Sequence, residues 1–446
     1  MMDDILDKIR KSLQRKRLFD LRETLKTLHP EDIAGILERL DEEEKKRVFS
    51  ELDPEVAADV LLELEDETLR FFLTDLTEEE ISELTEEMAP EEAADIVAEL
   101  PVKTREEVLE LIPEEISQEV RTLLQYPENT AGGIMSLDFV ALPADSTISE
   151  GLSMLRKIGE DVELSYVYVT DQKERLVGVL PLRKLLVTRP EVQLREIMIR
   201  EPVVAYVEED QEEVVRRVTK HDLLALPIVD SNKILRGVVK MEDVMDVIEE
   251  EATEDILRMG GTAAEESIFT PPFKSLRNRL PWLSLNLFLA FVAASVVGLF
   301  IETIATVAVV AVFLPIVAGM GGNTGIQTLV VIVRGLALGE VTLKDTWRIL
   351  LKEFAVGLLM GLVIGILTAL VTYFWKGNPV LGLVVGIALV VNMIAACLAG
   401  AAIPLTLKGL RLDPALGSGI FLTTITDVVG FLTFLGLATF FLKFLQ

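Results

Sequence analysis

The chain has 446 residues with 72 acidic and 43 basic side chains, a formal net charge of −29, and a single cysteine, Cys397. This charge excludes nucleic acid as an expected partner, because an acidic surface repels phosphate, and one cysteine excludes a disulfide within the chain. Residues 1–280 carry a net charge of −31, whereas residues 281–446 carry +2. The first part is therefore predicted to face water and the second to face lipid.

The N-terminal segment, residues 1–129, contains a repeated helix start. Proline followed by an acidic residue recurs at Pro30, Pro54 and Pro90, with a weaker repeat at Pro113, and Leu or Ile follows at three- and four-residue steps. Proline suits the first turn of a helix, and acidic side chains there favour the helix dipole. We predict an all-α superhelical domain, which offers a surface to a partner or acts as a spacer.

Residues 130–248 contain two similar β-α-β segments, about 130–197 and 198–248, which open at Met135 and Met198. The matching strands are Tyr166–Asp171 with Leu226–Asp230, and Leu176–Leu180 with Leu235–Val239. The arrangement resembles tandem cystathionine-β-synthase-type (CBS) domains, which implies an α/β fold. CBS pairs commonly bind adenine nucleotides, so the resemblance makes ATP a candidate ligand, although the sequence contains no glycine loop of the kind that cradles phosphate.

Residues 249–275 are predicted to be a connecting helix and linker between the CBS pair and the membrane. The acidic helix that begins near Met241 continues without a helix breaker until Gly260 and Gly261, and Pro271 and Pro272 mark a second break. A helix over residues 241–258 is about 27 Å long at 1.5 Å per residue. That length suffices to lie along the inner mouth of a pore.

Residues 276–446 predict an all-α transmembrane domain of five helices, because five windows exceed the ~20 apolar residues that cross a bilayer. The predicted helices cover about 280–302, 305–333, 353–375, 378–407 and 414–443. Basic residues precede the first span and fill the second-to-third and fourth-to-fifth loops, whereas the opposite loops contain only Glu302 and Lys376. The positive-inside rule therefore predicts a multi-pass protein of the cell (inner) membrane with cytoplasmic N-terminal domains and an external C-terminus.

Asp427 is the only charged residue between Asp413 and Lys443. A carboxylate at membrane depth is costly and marks an ion pathway more often than not, and the mid-membrane segments offer it no basic partner. We therefore predict Asp427 as a metal ligand in a pore. Asp413, at the inner end of the same span, is both a pore-lining candidate and a candidate helix N-cap.

Glycines in the second and third spans carry two further predictions. Gly321–Gly325 form a glycine-rich segment with Asn323 at membrane depth, which favours irregular backbone with free carbonyls beside the ion site. Gly357, Gly361 and Gly365 are spaced by four residues, a pattern that permits close helix packing and self-association. The pore-lining candidates beside Asp427 are Gly322, Asn323, Thr423, Thr424 and Thr426, together with Asp413.

The sequence also resembles the MgtE family of magnesium channels. The residues that carry the resemblance are 315–329 (PIVAGMGGNTGIQTL), 412–415 (LDPA) and 423–431 (TTITDVVGF), and the order of domains matches as well. The resemblance implies a homodimeric, Mg²⁺-selective channel with Asp427 in the pore, which mediates magnesium uptake and is closed by intracellular Mg²⁺. Enzymatic activity is not expected, because no nucleophile–base pair or phosphate loop is evident.

Acidic residues of the cytosolic part are candidate regulatory Mg²⁺ ligands. Apposed carboxylate surfaces repel one another when bare and approach when divalent ions bridge them, and weak exposed sites of this kind imply a threshold of roughly 10⁻⁴–10⁻³ M. The candidates are Glu55, Asp59, Glu91, Glu92, Asp95, Asp210, Glu212, Asp222, Asp243, Asp246, Glu250, Glu251, Glu254 and Asp255. Each of them alone is equally compatible with a solvated surface charge.

Two other functions fit parts of the sequence. A coupled exchanger would use Asp427 to carry protons or Na⁺ against the divalent ion. A membrane-anchored nucleotide sensor would signal through the helical domain, bind ATP tightly and be indifferent to Asp427. The sensor explains neither the glycine-rich second span nor the lone acidic residue in the fifth.

Overall fold

The computed structural model describes residues 2–15, 17–158, 164–264 and 266–445. The chain forms two compact units, residues 1–249 and residues 250–446.

Short helices fill the N-terminal part of the first unit. They are α1 (Met2–Gln14), α2 (Leu18–Leu25), α3 (Pro30–Leu37), α4 (Glu42–Phe49), α5 (Pro54–Leu62), α6 (Asp66–Asp75), α7 (Glu78–Glu86), α8 (Pro90–Ala98), α9 (Val102–Leu111) and α10 (Glu114–Leu123). Pro30, Pro54 and Pro90 open their helices as predicted, while Pro113 lies one residue before α10. Helices two apart in sequence pack together, α3 with α5, α5 with α7, and α8 with α10, which confirms the superhelical fold.

A continuous apolar core holds these helices together. Ile33, Ile36 and Leu61 are fully buried, and the rings of Phe49 and Phe72 lie 4.4 Å apart between centroids. Burial of each such side chain contributes about 1.5–3 kcal/mol. The fixed spacing of Leu and Ile along the sequence therefore accounts for the packing of the helical domain.

The second part of the first unit contains two small sheets. Its elements are β1 (Val140–Pro143), α11 (Ile148–Ile158), β2 (Tyr166–Thr170), β3 (Leu176–Pro181), α12 (Leu182–Val187), α13 (Leu194–Ile197), β4 (Ile199–Arg200), β5 (Ala205–Tyr206), α14 (Gln211–His221), β6 (Ala225–Val229), β7 (Leu235–Lys240) and α15 (Met241–Met259), which continues into the second unit. The sheet orders are β1-β2-β3-β4 and β5-β6-β7, with a parallel first pair and an antiparallel second pair in both. The predicted tandem α/β fold is confirmed.

Each of the two α/β copies packs its opening methionine against the other copy. The side chain of Met198 packs against Gly178 of the first copy, and that of Met135 packs against Gly237 of the second, where a Cβ would lie 2.7 Å from the Met135 sulfur. Ser136 also bridges Val238 of the second sheet. The opening segment of each copy therefore packs against the sheet of the other copy. A boundary at residue 197 separates the two sequence repeats but does not separate two independent structural bodies.

The second unit consists of long apolar helices. Its elements are α16 (Pro272–Gly298), α17 (Ile301–Thr306), a 3₁₀ helix (Ala308–Phe313), α18 (Leu314–Ala337), a 3₁₀ turn (Leu343–Asp345), α19 (Thr346–Lys376), α20 (Pro379–Gly409), α21 (Ser418–Phe440) and α22 (Leu442–Leu445). Within the described residues, five segments are long and apolar enough to cross a membrane. This result confirms the five-helix membrane domain, with a first helix that begins earlier than residue 280.

The glycine ladder of the third span serves contacts within the chain. A Cβ on Gly361 would lie 2.9 Å from the Val390 Cα atom, and one on Gly365 would lie 2.7 Å from the Gly386 carbonyl oxygen. Gly357 approaches Ile394 of α20 in the same way. The ladder therefore brings α19 against α20 of the same protomer, whereas the sequence pattern had favoured self-association.

The prediction of irregular backbone at Gly321–Gly325 is wrong, because α18 is a continuous α-helix through this segment. Its glycines serve close packing instead: Gly321 faces Asn392 of α20, and Gly325 faces Leu422 of α21. The irregular backbone lies before α18, where Val307 (φ −130°, ψ 76°) separates α17 from the 3₁₀ helix. The backbone of Gly321–Gly325 therefore does not provide the free carbonyls that the sequence pattern favoured.

Candidate metal sites

Asp427 lies on α21 as the only charged residue of that helix, and its side chain is half-buried. Among the described residues, the structure shows no ion pair and no side-chain hydrogen bond to its carboxylate. A carboxylate without a protein partner at membrane depth is expensive, so it needs a ligand or water. This geometry agrees with a ligand that acts on a passing cation.

The threonines near Asp427 donate their hydroxyl protons to their own helix. Thr423 and Thr424 donate to the Ile420 carbonyl at 3.0 and 2.9 Å, and Thr426 donates to the Thr423 carbonyl at 2.9 Å. Thr426 is fully buried, whereas Thr423 and Thr424 are half-buried. Only the lone pairs of Thr423 and Thr424 therefore remain accessible, and these accept hydrogen bonds from water.

The glycine-rich face of α18 lies beside the threonine face of α21. A Cβ on Gly322 would lie 4.0 Å from the Thr423 methyl carbon, and Asn323 is exposed next to it. The structure thus places Gly322 and Asn323 on a helix that packs against α21, the helix of Thr423 and Asp427.

Asp413 combines a local structural contact with an ion pair. Its Oδ1 atom accepts a hydrogen bond from the Ala415 backbone at 2.7 Å, in the turn that precedes α21, while Oδ2 pairs with Arg258 at the end of α15. Arg258 also pairs with Glu254. Arg258 was not among the residues predicted from the sequence, although it is the only basic residue of α15 and stands out among the acidic residues of that helix.

The carboxylates around Arg258 are crowded. Burial raises the pKa of Asp255 to about 6, and the negative charges of Asp413, Glu251 and Glu254 act in the same direction. A carboxyl with a raised pKa gains from a nearby cation, because the cation favours its ionised form. Asp255, Asp413 and Glu254 therefore form an acidic group on the second unit, in which Arg258 pairs with Asp413 and Glu254.

A second acidic group lies within the first unit, where α8 meets the second CBS copy. Burial raises the pKa of Asp243 to about 6, and burial also raises the pKa values of Glu92 and Asp59. The ammonium of Lys240 lies 3.6 Å from Glu91 Oε1, and Glu91 Oε2 is buried without a partner among the described residues. These acidic residues were predicted from the sequence, whereas Lys240 was not.

A third acidic group lies along α15 and α5. Burial and then the charges of Glu249 and Glu242 raise the pKa of Asp246, and burial followed by the charges of Glu31 and Asp246 raises the pKa of Glu63. Glu63 was absent from the sequence predictions, since it lacked the proline-linked pattern that marked Glu55 and Glu91.

Other predicted acids have local contacts of their own. Asp210 caps α14 by accepting a hydrogen bond from the Glu212 backbone at 2.9 Å, and Asp222 ends that helix in a left-handed conformation (φ 50°). Asp95, Glu212, Glu250 and Glu251 also have interactions within the chain. Across the described residues, no three His, Cys, Asp or Glu side chains stand close enough to hold a metal ion together.

Family models match the helical domain, the CBS pair and most of the membrane domain. The MgtE family model, described as a divalent cation transporter, matches residues 314–437; the MgtE intracellular N domain matches 28–129, and the CBS domain matches 131–190 and 194–250. The magnesium transporter MgtE of Bacillus subtilis (strain 168) is 35% identical over 324 residues, which cover 72% of this chain and 72% of that protein.

Two further similarities cover different parts of the chain. The magnesium transporter MgtE of Thermus thermophilus is 38% identical over 327 residues, or 73% of this chain and 72% of the relative. The crystal structure of the cytosolic domain of the Mg²⁺ channel MgtE in complex with ATP is 34% identical, covers 54% of this chain and 99% of that chain, and gives a TM-score of 0.50. These relatives are named as transporters or channels rather than enzymes. With its helical domain, its CBS pair and its five membrane helices, the chain belongs to the MgtE family of magnesium transporters.

Proposed function

We propose that this chain is a Mg²⁺-selective channel for magnesium uptake in which Asp427 is the pore carboxylate. The observation that carries the proposal is the Asp427 side chain, which is the only charge on α21 and has no protein partner among the described residues. Mg²⁺ releases its water reluctantly and is often held by one or two carboxylates through retained waters. A single carboxylate per protomer fits that requirement.

Selection would act on the hydrated ion. The lone pairs of Thr423 and Thr424 accept hydrogen bonds from coordinated waters, and the exposed amide of Asn323 on α18 offers both a donor and an acceptor. Because the hydration shell of Mg²⁺ is held at a defined size, a pore lined this way distinguishes ions by the size of the hydrated complex.

The pore requires a second copy of the chain. The helix α16 is almost entirely exposed along its apolar length, with Leu283, Leu287, Phe288 and Phe291 uncovered. A homodimer with a two-fold axis along the pore would bring two Asp427 side chains to face each other and would cover part of this surface. Basic loops on one side of the membrane support cytoplasmic N-terminal domains and an external C-terminus.

Intracellular Mg²⁺ would close this channel by neutralising the two acidic groups on α8 with the CBS pair and on α15 with the start of α21. Their raised pKa values reflect carboxylates that are held in partly buried positions close to like charges. A divalent ion that binds between the carboxylates of one group lowers the electrostatic free energy of the conformation in which those carboxylates are close together. The population of channels therefore shifts towards that conformation.

The CBS pair is the proposed site for an adenine nucleotide such as ATP. A cavity of about 160 Å³ between the two copies is lined by Tyr166, Tyr168, Asp138 and Lys240. Tyrosine rings can stack on adenine, a carboxylate can accept hydrogen bonds from ribose hydroxyls, and an ammonium suits phosphate. The related cytosolic domain solved with ATP supports this assignment.

Mg²⁺ influx into liposomes tests the channel proposal. The wild-type chain, Asp427→Asn and a matched charge control, Glu340→Gln on an exposed loop, would be reconstituted with low Mg²⁺ on the cytosolic side and then with several concentrations up to the millimolar range. We expect Asp427→Asn to lose nearly all flux, Glu340→Gln to retain it, and wild-type flux to fall as cytosolic Mg²⁺ rises.

The same experiment separates the other functions. A flux that requires a proton or Na⁺ gradient would favour an exchanger, since a channel needs only the Mg²⁺ gradient and the membrane voltage. Flux that survives in Asp427→Asn would overturn the pore assignment. Tight ATP binding together with unchanged flux in that variant would favour the nucleotide sensor.

A further inference from the structure

A single amide is buried in the apolar middle of α20. Asn392 is fully buried, and its neighbours on that helix, Leu389 and Met393, belong to the apolar interior of the second unit. A buried polar side chain within a membrane helix costs free energy unless it has partners. The position of this amide therefore calls for a physical reason.

The orientation of the amide is set by one contact. Asn392 Nδ2 donates a hydrogen bond to the Val317 carbonyl of α18 at 2.9 Å. The opposite orientation would place two carbonyl oxygens against each other, so the amide nitrogen must face Val317. Asn392 Oδ1 is buried and has no partner among the described residues, so the contact is retained although half of the amide is unsatisfied.

Two glycines make room for this amide. A Cβ on Gly321 of α18 would overlap the Asn392 amide, and a Cβ on Gly430 of α21 would lie 2.7 Å from its nitrogen. The amide thus occupies the point at which α18, α20 and α21 approach one another. Gly321 directly precedes Gly322 and Asn323, and Gly430 lies three residues, about one helical turn, after Asp427.

We propose that Asn392 is a positioning residue for ion selection, which fixes the separation between the Gly322–Asn323 segment of α18 and Asp427 on α21. This inference rests on the proposed function, because it takes Asp427 as the pore carboxylate. Asn392 touches no permeating ion; it sets the distance between the two helices that do. The hydrogen bond to Val317 fixes Asn392 against α18, and the contact of the same amide with Gly430 then limits how closely α21 approaches.

The test compares Asn392→Leu, which is close in volume but lacks the amide, with Asn392→Ala, which fits without a clash. The same substitution at Asn232, an exposed asparagine in the turn between β6 and β7, is the matched control, Asn232→Leu. Influx of Mg²⁺, Ca²⁺ and Co²⁺ into liposomes would be measured for the same amount of folded, reconstituted full-length protein, together with the thermal midpoint in detergent.

We expect both Asn392 variants to change the ratio of Mg²⁺ to Ca²⁺ or Co²⁺ influx by about fivefold or more, which is the effect of one hydrogen bond on an equilibrium between two helix separations. Asn232→Leu should keep the wild-type ratio. A lower thermal midpoint with an unchanged ion ratio in whichever Asn392 variant folds would overturn the inference, because it would make Asn392 a purely structural residue.

Failure of the proposed function gives a different result. If Asp427→Asn keeps its flux, the pore assignment is wrong whatever the Asn392 variants do. If Asp427→Asn loses flux while the Asn392 variants keep the wild-type ion ratio, only the positioning role is wrong.

Discussion

The ammonium of Lys240 lies 3.6 Å from the Glu91 carboxylate, across the contact between the helical domain and the second CBS copy. It also lies 3.5 Å from Glu242. Burial alone would lower the pKa of Lys240, but the negative charges of Glu91, Asp243, Glu242 and Asp138 outweigh burial and raise it. One internal cation thus neutralises part of an acidic surface that is proposed to bind Mg²⁺. The chain therefore contains a competitor for that ion.

Replacement of Lys240 by methionine should strengthen inhibition by cytosolic Mg²⁺. Without the ammonium, Glu91 and Asp243 attract a divalent ion more strongly, and the bare surfaces repel each other more. We expect the Mg²⁺ concentration that halves liposome flux to fall by about threefold to tenfold, which corresponds to the loss of one partly screened unit charge near the site. Flux at very low cytosolic Mg²⁺ should remain.

Lys173→Met, which removes an exposed ammonium from a turn of the first CBS copy, should leave the midpoint of inhibition unchanged. A Lys240→Met midpoint equal to or above the wild-type value would contradict the competition between Lys240 and Mg²⁺.

Stability without divalent ions should fall as pH rises towards neutrality. The pKa values of Asp243 and Asp255 are both raised to about 6, mainly by burial, above their unfolded value of 3.8. The folded state therefore binds more protons than the unfolded state between these values, so this contribution to stability is fully present below pH 3.8 and is lost as pH rises through 6. The thermal midpoint in EDTA should drop between pH 5 and pH 7.

Asp243→Asn keeps an oxygen that can accept the hydrogen bond from the Lys240 backbone, so it should raise stability at pH 7 by about 1 kcal/mol and reduce the pH dependence. Millimolar Mg²⁺ should also reduce the pH dependence of stability, because the ion favours the ionised carboxylates. A thermal midpoint that rises from pH 5 to pH 7 in EDTA would show that these carboxyls do not carry the effect.

The sequence predicted the architecture well because its signals are local. Proline-led helix starts, two copies of one strand-turn-strand pattern and five apolar windows each follow from neighbouring residues. The sites depended on contacts that no local pattern contains. Arg258 pairs with Asp413, which lies 155 positions away in the sequence. Gly321 packs against Asn392, a residue of a different helix that is also distant in the sequence. The same glycine composition is compatible with an unwound segment, so sequence alone favoured the wrong backbone there.

Removal of Arg258 should loosen the contact between the end of α15 and the start of α21. Arg258 pairs with both Asp413 and Glu254, so Arg258→Met leaves these carboxylates and Asp255 without a cation. We expect a loss of about 1–2 kcal/mol in EDTA, since the pair is only partly buried, and a larger rise of the thermal midpoint on addition of Mg²⁺ than in the wild type.

Arg334→Met, at an exposed position of α18, serves as the charge control for this comparison and should show the wild-type response to Mg²⁺. Equal Mg²⁺ stabilisation in Arg258→Met and wild type would mean that the ion does not replace Arg258 at this group.

The contact between α19 and α20 should be sensitive to a single side chain. A Cβ on Gly361 would already lie 2.9 Å from the Val390 Cα atom, and backbone cannot move aside as a flexible side chain does. Gly361→Leu should therefore force the two helices apart and lower the free energy of unfolding by about 1–3 kcal/mol. The loss would be seen as a lower thermal midpoint in detergent.

Gly436→Leu on α21, where a Cβ meets nothing within 4 Å, is the matched control and should change the thermal midpoint little. If both substitutions had the same small effect, the ladder would not hold α19 against α20, and the spacing of Gly357, Gly361 and Gly365 would serve self-association after all.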